Sequence, residues 1–371
     1  MPTSRIRTVD ELHAYLHHAM QLEHATIPPY LTALYSIRPG RNSDAVHILR
    51  VAVVEEMLHL TLAANVLNAV GGAPDLTAPG FVPAYPAYLP DGEQDFQVSR
   101  QRFSREAIEN FLCIERPHRA PEPRTRLVDR GRRPRNRLGV CPVEPEMQYY
   151  SIGEFYQEIE RGLRHLSAEM GDALFSGDPA RQATPDCFYS GGGEVVVVTD
   201  LTSACRALRL IAEQGEGFGG GVFDHEHELA HYHRFEQLTL GRYYLADDQP
   251  GHPTGPVVEV DWDATYPVLK DASVADFPED SELRRAAVRF NASYGEFLAM
   301  LTSAFNGRPA LLLDAVVVMF QLRDAMLRLL RNPVPGQDGT TGAPTFEVDM
   351  VPADTGSGTP VGAGTPAAAT P

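Results

Sequence analysis

The stretch Val51-Ala-Val-Val-Glu-Glu-Met-Leu-His-Leu-Thr-Leu-Ala-Ala64 decides the reading of this chain. Residues three apart share a helix face, so Glu56 and His59 point the same way. Their setting is unusual, because from Ile48 to Val70 nearly every position on every face is apolar. Such a helix is buried all round. A carboxylate there is costly unless its charge is paired or holds a metal ion. The same spacing returns in Glu228-Leu-Ala-His231. Two Glu-x-x-His turns on separate helices are the ligand pattern of a carboxylate-bridged pair of metal ions in a four-helix bundle. The expected fold class is therefore all-α.

Working outward, a first helix is signalled by Thr8 as N-cap with Asp10 and Glu11 in the first turn. It runs through Leu16, Met20 and Glu23 toward Tyr35, and Pro28-Pro29 is expected to interrupt it. Gly40 to Ser43 turns the chain into the second helix, which should stop at Gly71-Gly72. Glu23 lies 17 residues before Gly40 and Glu56 lies 16 after it, so the two sit at one height in antiparallel neighbours.

Residues 73–100 read as a long ordered loop, with a strand pair as one option. Residues 116–137 hold nine arginines among four prolines, an exposed charged loop or a cationic lid over an acidic substrate. A helix follows from Ser151, and 191–199 looks like a turn and a short strand. Asp200 to Glu216 is a capped helix, and 224–244 is the helix expected to carry Glu228 and His231. Two more helices, 281–306 and 309–330, come after a Pro/Gly/Asp-rich link. These elements group into a di-metal bundle with loop insertions (1–245), a C-terminal helical extension packed on it (246–350) and a disordered tail (351–371).

Composition closes off several function classes. With 371 residues and 43% hydrophobic content the chain can bury a large core. Its net charge of −17 argues against nucleic acid and anionic membrane surfaces as partners. The most apolar run, Leu311 to Leu330, is broken by Asp314, Arg323, Asp324 and Arg328 and does not read as a membrane span. The N-terminus lacks a signal-peptide pattern. The four cysteines have no metal or disulfide spacing, which fits a cytoplasmic location.

A bundle site of this kind wants one further glutamate from each remaining helix. Glu23 fills that role on the first helix. His24 beside it points about 100° away, and His17 and His18 are other options. For the second, Glu213 and Glu216 end the 200–216 helix near the start of the Glu228–His231 turn; Glu154 and Glu158 are the runners-up. Glu55 could stand in for Glu56, since i and i+4 also share a face. His225, His227 and His233 crowd the second motif as a further ligand, a proton relay or simply exposed groups. Tyr30, Tyr35, Tyr149, Tyr150 and Tyr232 read as core packing.

Glu23-His-Ala-Thr-Ile-Pro-Pro-Tyr-Leu-Thr-Ala-Leu-Tyr35, Val54 to Asn68, Ile152-Gly-Glu-Phe-Tyr156, Glu213-Gln-Gly-Glu-Gly217 and His231-Tyr-His-Arg-Phe235 together resemble the ferritin-like domain family of the iminophenyl-pyruvate dimer synthase type. That type belongs to violacein and related bisindole pathways. The resemblance spans roughly residues 8–240, and Gly342-Ala-Pro-Thr-Phe-Glu347 is similar to the family's C-terminal part. It implies a ferritin-like four-helix bundle with Glu23, Glu56, His59, Glu228 and His231 as ligands and catalytic residues, and with Glu213-Gln-Gly-Glu216 facing the site. It further implies two iron ions, with manganese as the alternative. The activity implied is oxidation by O2 or peroxide of a small, amino-acid-derived substrate in natural-product metabolism. A metal-binding scaffold protein of a biosynthetic complex is the competing expectation. Association with a second copy or a partner enzyme is left open.

Overall fold

α1 (Val9–Ser36) begins where the Thr8 hydroxyl accepts from the Glu11 amide and the Glu11 carboxylate reaches back to the Thr8 amide, a capping box. The computed structural model describes residues 4–89, 96–117, 149, 151–189, 191–217 and 221–348. In it α1 does not stop at Pro28-Pro29, as the sequence leads one to expect, but runs through both prolines. Pro29 cannot donate to the carbonyl of Ala25 one turn back. The Tyr85 hydroxyl takes that carbonyl instead, at 2.7 Å. The defect is satisfied from outside the helix, and so it need not end it.

α2 (Ser43–Ala69) returns antiparallel after a turn in which Asn42 adopts a left-handed conformation. Further on come α3 (Arg105–Ile114), α4 (Ile152–Met170) and α5 (Leu201–Glu216), with N-caps Ser104, Ser151 and Asp200. α6 (His231–Leu240), α7 (Glu282–Phe305) and α8 (Leu311–Arg331) complete the set. The helix expected over 224–244 is thus shorter at its start. Asp224 accepts from the amides of Glu226 and Glu228 and His227 takes positive φ, so 224–230 is a turn and Ala230 caps α6.

α1 packs on α2, α2 on α5, α5 on α4 and α4 on α1, closing a four-helix bundle. The short α3 and α6 pair with each other, and α6 also meets α2 and α5. α7 and α8 form a hairpin whose members lie against α2 and α1 respectively. α2 is thus covered by α1, α5, α6 and α7, which is why its sequence from Ile48 on carries no polar face beyond Arg50. Apolar side chains of all these helices join one core.

Among the described residues there is no strand beyond isolated bridges, and the all-α expectation holds. In 73–100 the expected strand pair reduces to one bridge, Ala87 with Val98. The apolar segment 195–198 is extended and largely buried but unpaired. Side-chain amides bind part of its backbone. Gln182 both donates to and accepts from Val198, and Asn65 donates to Val196. No described helix is long and apolar enough to cross a membrane. The arginine-rich segment, from residue 118 on, and the tail lie outside the described residues.

Candidate metal centre

Inside the bundle, α1 supplies Glu23 and α2 supplies Glu55, Glu56 and His59, all buried. Two more groups come from the paired short helices. Glu115 caps the C-terminus of α3, and His231 is the first residue of α6. Glu23, Glu56, His59, Glu115 and His231 are each no more than 3% exposed.

These side chains form two triads with one member in common. Glu23, Glu56 and His59 make one, and Glu56, Glu115 and His231 the other; in each, one donor atom per residue lies within 4.8 Å of the rest. The two imidazoles face each other with ring centroids 5.4 Å apart. His59 Nδ1 lies 3.2 Å from Glu23 Oε2 and 4.0 Å from Glu56 Oε2. His231 Nδ1 lies 3.0 Å from Glu56 Oε1 and 3.6 Å from Glu115 Oε1. It is close to both carboxylates yet aligned for a hydrogen bond with neither.

The outer nitrogen of each ring is spoken for. Gln214 donates its amide N–H to the Gly192 carbonyl (2.8 Å), so its oxygen faces His59 and accepts from Nε2–H at 2.8 Å. On the other side His231 Nε2–H donates to Glu55 Oε2 at 2.7 Å. Arg234 holds the second Glu55 oxygen at 3.2 Å and reaches the exposed Glu228 at 3.4 Å. Both imidazoles are left with Nδ1 turned inward, the arrangement in which a partner on one nitrogen fixes the other as a metal ligand.

Hydroxyls hold the carboxylates. Tyr156 donates to Glu23 and Tyr30 to Glu115, each at 2.5 Å, and the Thr26 hydroxyl shares its one proton between the Glu23 carbonyl at 2.8 Å and Glu56 Oε2 at 3.0 Å. Tyr30 packs edge-on against Phe111 and Phe235, walling the Glu115 side with apolar surface.

Electrostatics register the crowding. Burial, then the charges of Glu115 and Glu23, push the Glu56 carboxyl up to about 8 despite its contact with His231. Burial pulls both histidines down, but the carboxylates around them outweigh it and hold both above their ordinary value. Burial likewise raises Glu55, yet His231 and Arg234 bring it below the usual carboxylate range. Three carboxylates and two imidazoles around an inward, unsatisfied nitrogen are a donor set that could hold metal ions.

Several residues expected here are elsewhere. Glu228 is 65% exposed on the turn before α6, so the second Glu-x-x-His is not a helical pair. Glu213 and Glu216 flank the inward face of α5, whose buried positions 204, 207, 208, 211 and 214 bring Gln214 to the site. Glu216 accepts from the Gly153 amide at 2.7 Å. Of the α4 runners-up, Glu158 binds Ser4, Arg5 and Arg161, and the residue α4 sends inward is Tyr156. His24 bonds Tyr294 on the far side of α1, and burial lowers it to about 3. His17 contacts the carbonyls of His13 and Ala73, and His233 pairs with Glu236.

Glu115 is the residue the sequence reading passes over. It follows Ala107, Ile108, Phe111 and Ile114 at helical spacing, and that continuation of a buried face was its one signal. Glu55 does not replace Glu56; the structure uses both. Tyr30 is core packing that also binds a carboxylate.

A family model described as ferritin-like matches residues 16–240. The chain belongs to the ferritin-like family. Dichlorochromopyrrolate synthase from Lentzea aerocolonigenes is 28% identical to this ferritin-like chain over 340 residues, covering 81% of it and 29% of the synthase. The 2-imino-3-(indol-3-yl)propanoate dimerase of Chromobacterium violaceum is 23% identical over 362 residues, covering 88% of this chain and 32% of the dimerase. The chain therefore spans less than a third of the length of these curated relatives. A crystal structure of a ferritin like protein from Caulobacter vibrioides shares the fold, with a TM-score of 0.57 at 22% identity over 87% of this chain and 95% of that one.

Proposed function

We propose that this chain is a non-haem di-iron oxidoreductase acting on a small, amino-acid-derived substrate. The observation that carries the reading is the pair of triads sharing Glu56. Glu23, Glu56 and His59 would hold one ion and Glu56, Glu115 and His231 the other, with Glu56 common to both. Oxygen and imidazole donors suit iron, with manganese as the alternative. Bound there, two iron ions supply the redox equivalents to use O2 or peroxide.

The chain's own residues set the conditions. Tyr156, Tyr30 and Thr26 fix the carboxylates, while Gln214 and Glu55 engage the outer nitrogens and turn the inner ones toward the carboxylates. Phe111, Phe235 and the apolar face of α2 keep bulk water away. Residues 1–245 act as the metal-binding bundle in this reading, and 246–350 brace it. The relatives' names supply the substrate class: one is a synthase of dichlorochromopyrrolate, the other a dimerase of an indole-bearing imino acid.

Elemental analysis of protein loaded with iron anaerobically tests the centre. About two ions per chain are expected in the wild type, and almost none in Glu56→Ala, which removes the shared ligand. Trace metal in the wild type would overturn the reading. O2 uptake with aromatic amino or imino acids then tests the activity.

A further inference from the structure

The two metal positions are built alike in outline and, beyond the 3.2 Å hydrogen bond of His59 Nδ1 with Glu23 Oε2 that has no counterpart at His231, differ in two details. Each has a carboxylate of its own tied by a tyrosine hydroxyl, a share of Glu56, and one imidazole offering Nδ1. The first difference is the acceptor behind the imidazole. His59 donates to the neutral amide oxygen of Gln214, whereas His231 donates to the carboxylate of Glu55. The second lies on the shared residue. Glu56 Oε2, the oxygen on the His59 side, receives a share of the Thr26 hydroxyl proton, which also serves the Glu23 carbonyl, and Oε1, on the His231 side, receives none.

An anionic acceptor pulls the outer proton and makes the inner nitrogen the better donor; altering such a partner typically changes metal affinity about 10–100-fold. A hydroxyl bonded to a carboxylate oxygen draws electron density from it and weakens it as a ligand. Both details favour the same position. Arg234 tempers Glu55 without cancelling it, since it holds Oε1 while His231 holds Oε2, and it shares its charge with the solvated Glu228.

Resting on the di-iron reading above, we infer that Glu55 is a positioning residue that makes the two metal positions unequal: the position of Glu56, Glu115 and His231 fills first and more tightly than that of Glu23, Glu56 and His59. The centre then loads in order, and a form with a single ion at the His231 position is a defined species.

Anaerobic titration of the metal-free full chain with Fe(II), followed by calorimetry, and with Co(II), followed by visible absorption, tests this without any turnover. The wild type should show two binding events separated by about tenfold or more. Glu115→Gln should remove the tighter event and Glu23→Gln the weaker. Glu55→Gln, near-identical in shape, should bring the two events together. Gln214→Leu, which leaves the His59 Nε2–H without its acceptor, should spread them. Circular dichroism establishes that each variant is folded. If Glu55→Gln does not fold, Gln214→Leu decides alone: a wider gap supports the inference, an unchanged gap overturns it. Two equal events in the wild type, the reverse assignment by Glu115→Gln and Glu23→Gln, or a gap that Glu55→Gln leaves unchanged would each overturn the inference while the di-iron reading stands. No binding at all would overturn both.

Discussion

The Tyr30 hydroxyl in α1 and a carboxylate oxygen of Glu115 at the end of α3 are 85 positions apart in sequence and 2.5 Å apart in space. Without this bond the carboxylate would be a buried charge missing its donor. Tyr30→Phe should therefore destabilise the metal-free protein by about 1–3 kcal/mol, read from urea unfolding, and lower occupancy at the Glu115 position in metal analysis. Unchanged stability together with unchanged metal content would show that the bond does nothing for Glu115.

Metal should stabilise the fold by mass action, because the assembled triads exist only in the native state. At free metal about a hundred times the dissociation constant, one site adds about 2.7 kcal/mol. Chelation should lower the Tm of the wild type and leave that of Glu56→Ala where it was. The variant should still fold, as it removes a carboxyl that burial and its neighbours already push up to about 8. Differential scanning calorimetry with and without chelator decides; a wild-type Tm indifferent to chelation contradicts a centre in the core.

The bond from Tyr85 to the Ala25 carbonyl exists because Pro29 cannot make it. Tyr85→Phe should cost about 1–3 kcal/mol by stranding a buried acceptor. In a Pro29→Ala background the restored amide can serve that carbonyl, so the same change should cost less than half as much. A double-mutant cycle in urea measures the coupling. Additive effects would mean that the proline and the tyrosine are independent.

At the N-terminus of α1, amide donors from Arg7 and Thr8 hold the Glu11 carboxyl below the ordinary glutamate value. A depressed native value means that the unfolded chain binds the proton more readily. The contribution of Glu11 is then full above the ordinary glutamate value and lost as pH falls through the lower native one. Glu11→Gln should destabilise the protein at pH about 7 and narrow its difference from wild type below pH about 4. Urea midpoints at the two values check the sign.

How much of this was legible in the sequence depends on the kind of signal. The all-α fold was readable from apolar periodicity and capping residues, and the pairing of Glu23 with Glu56 from equal distances to the Gly40 turn. Glu55, Glu56 and His59 stood out because α2 is otherwise apolar. The second half of the site was misread for a physical reason. The bundle helices α4 and α5 send in Tyr156 and Gln214, hydrogen-bond partners rather than carboxylates. The remaining carboxylate comes from α3, a ten-residue helix whose last turn runs into Arg116-Pro117. Glu228 had the right spacing, but spacing carries meaning only on a helix. The Asp224 side chain, by capping the amides of Glu226 and Glu228, keeps that stretch out of one.

Glu23 and His24 leave α1 in directions about 100° apart, and each is held: Glu23 by Tyr156 of α4, His24 by Tyr294 of α7 at 2.7 Å. A one-residue slip of α1 about its axis would present an imidazole where the carboxylate belongs. Tyr294 therefore acts as the outer bearing of a shaft whose inner bearing is Tyr156. Among the described residues the C-terminal hairpin sends no side chain into the two triads, yet through Tyr294 it sets the phase in which α1 presents Glu23.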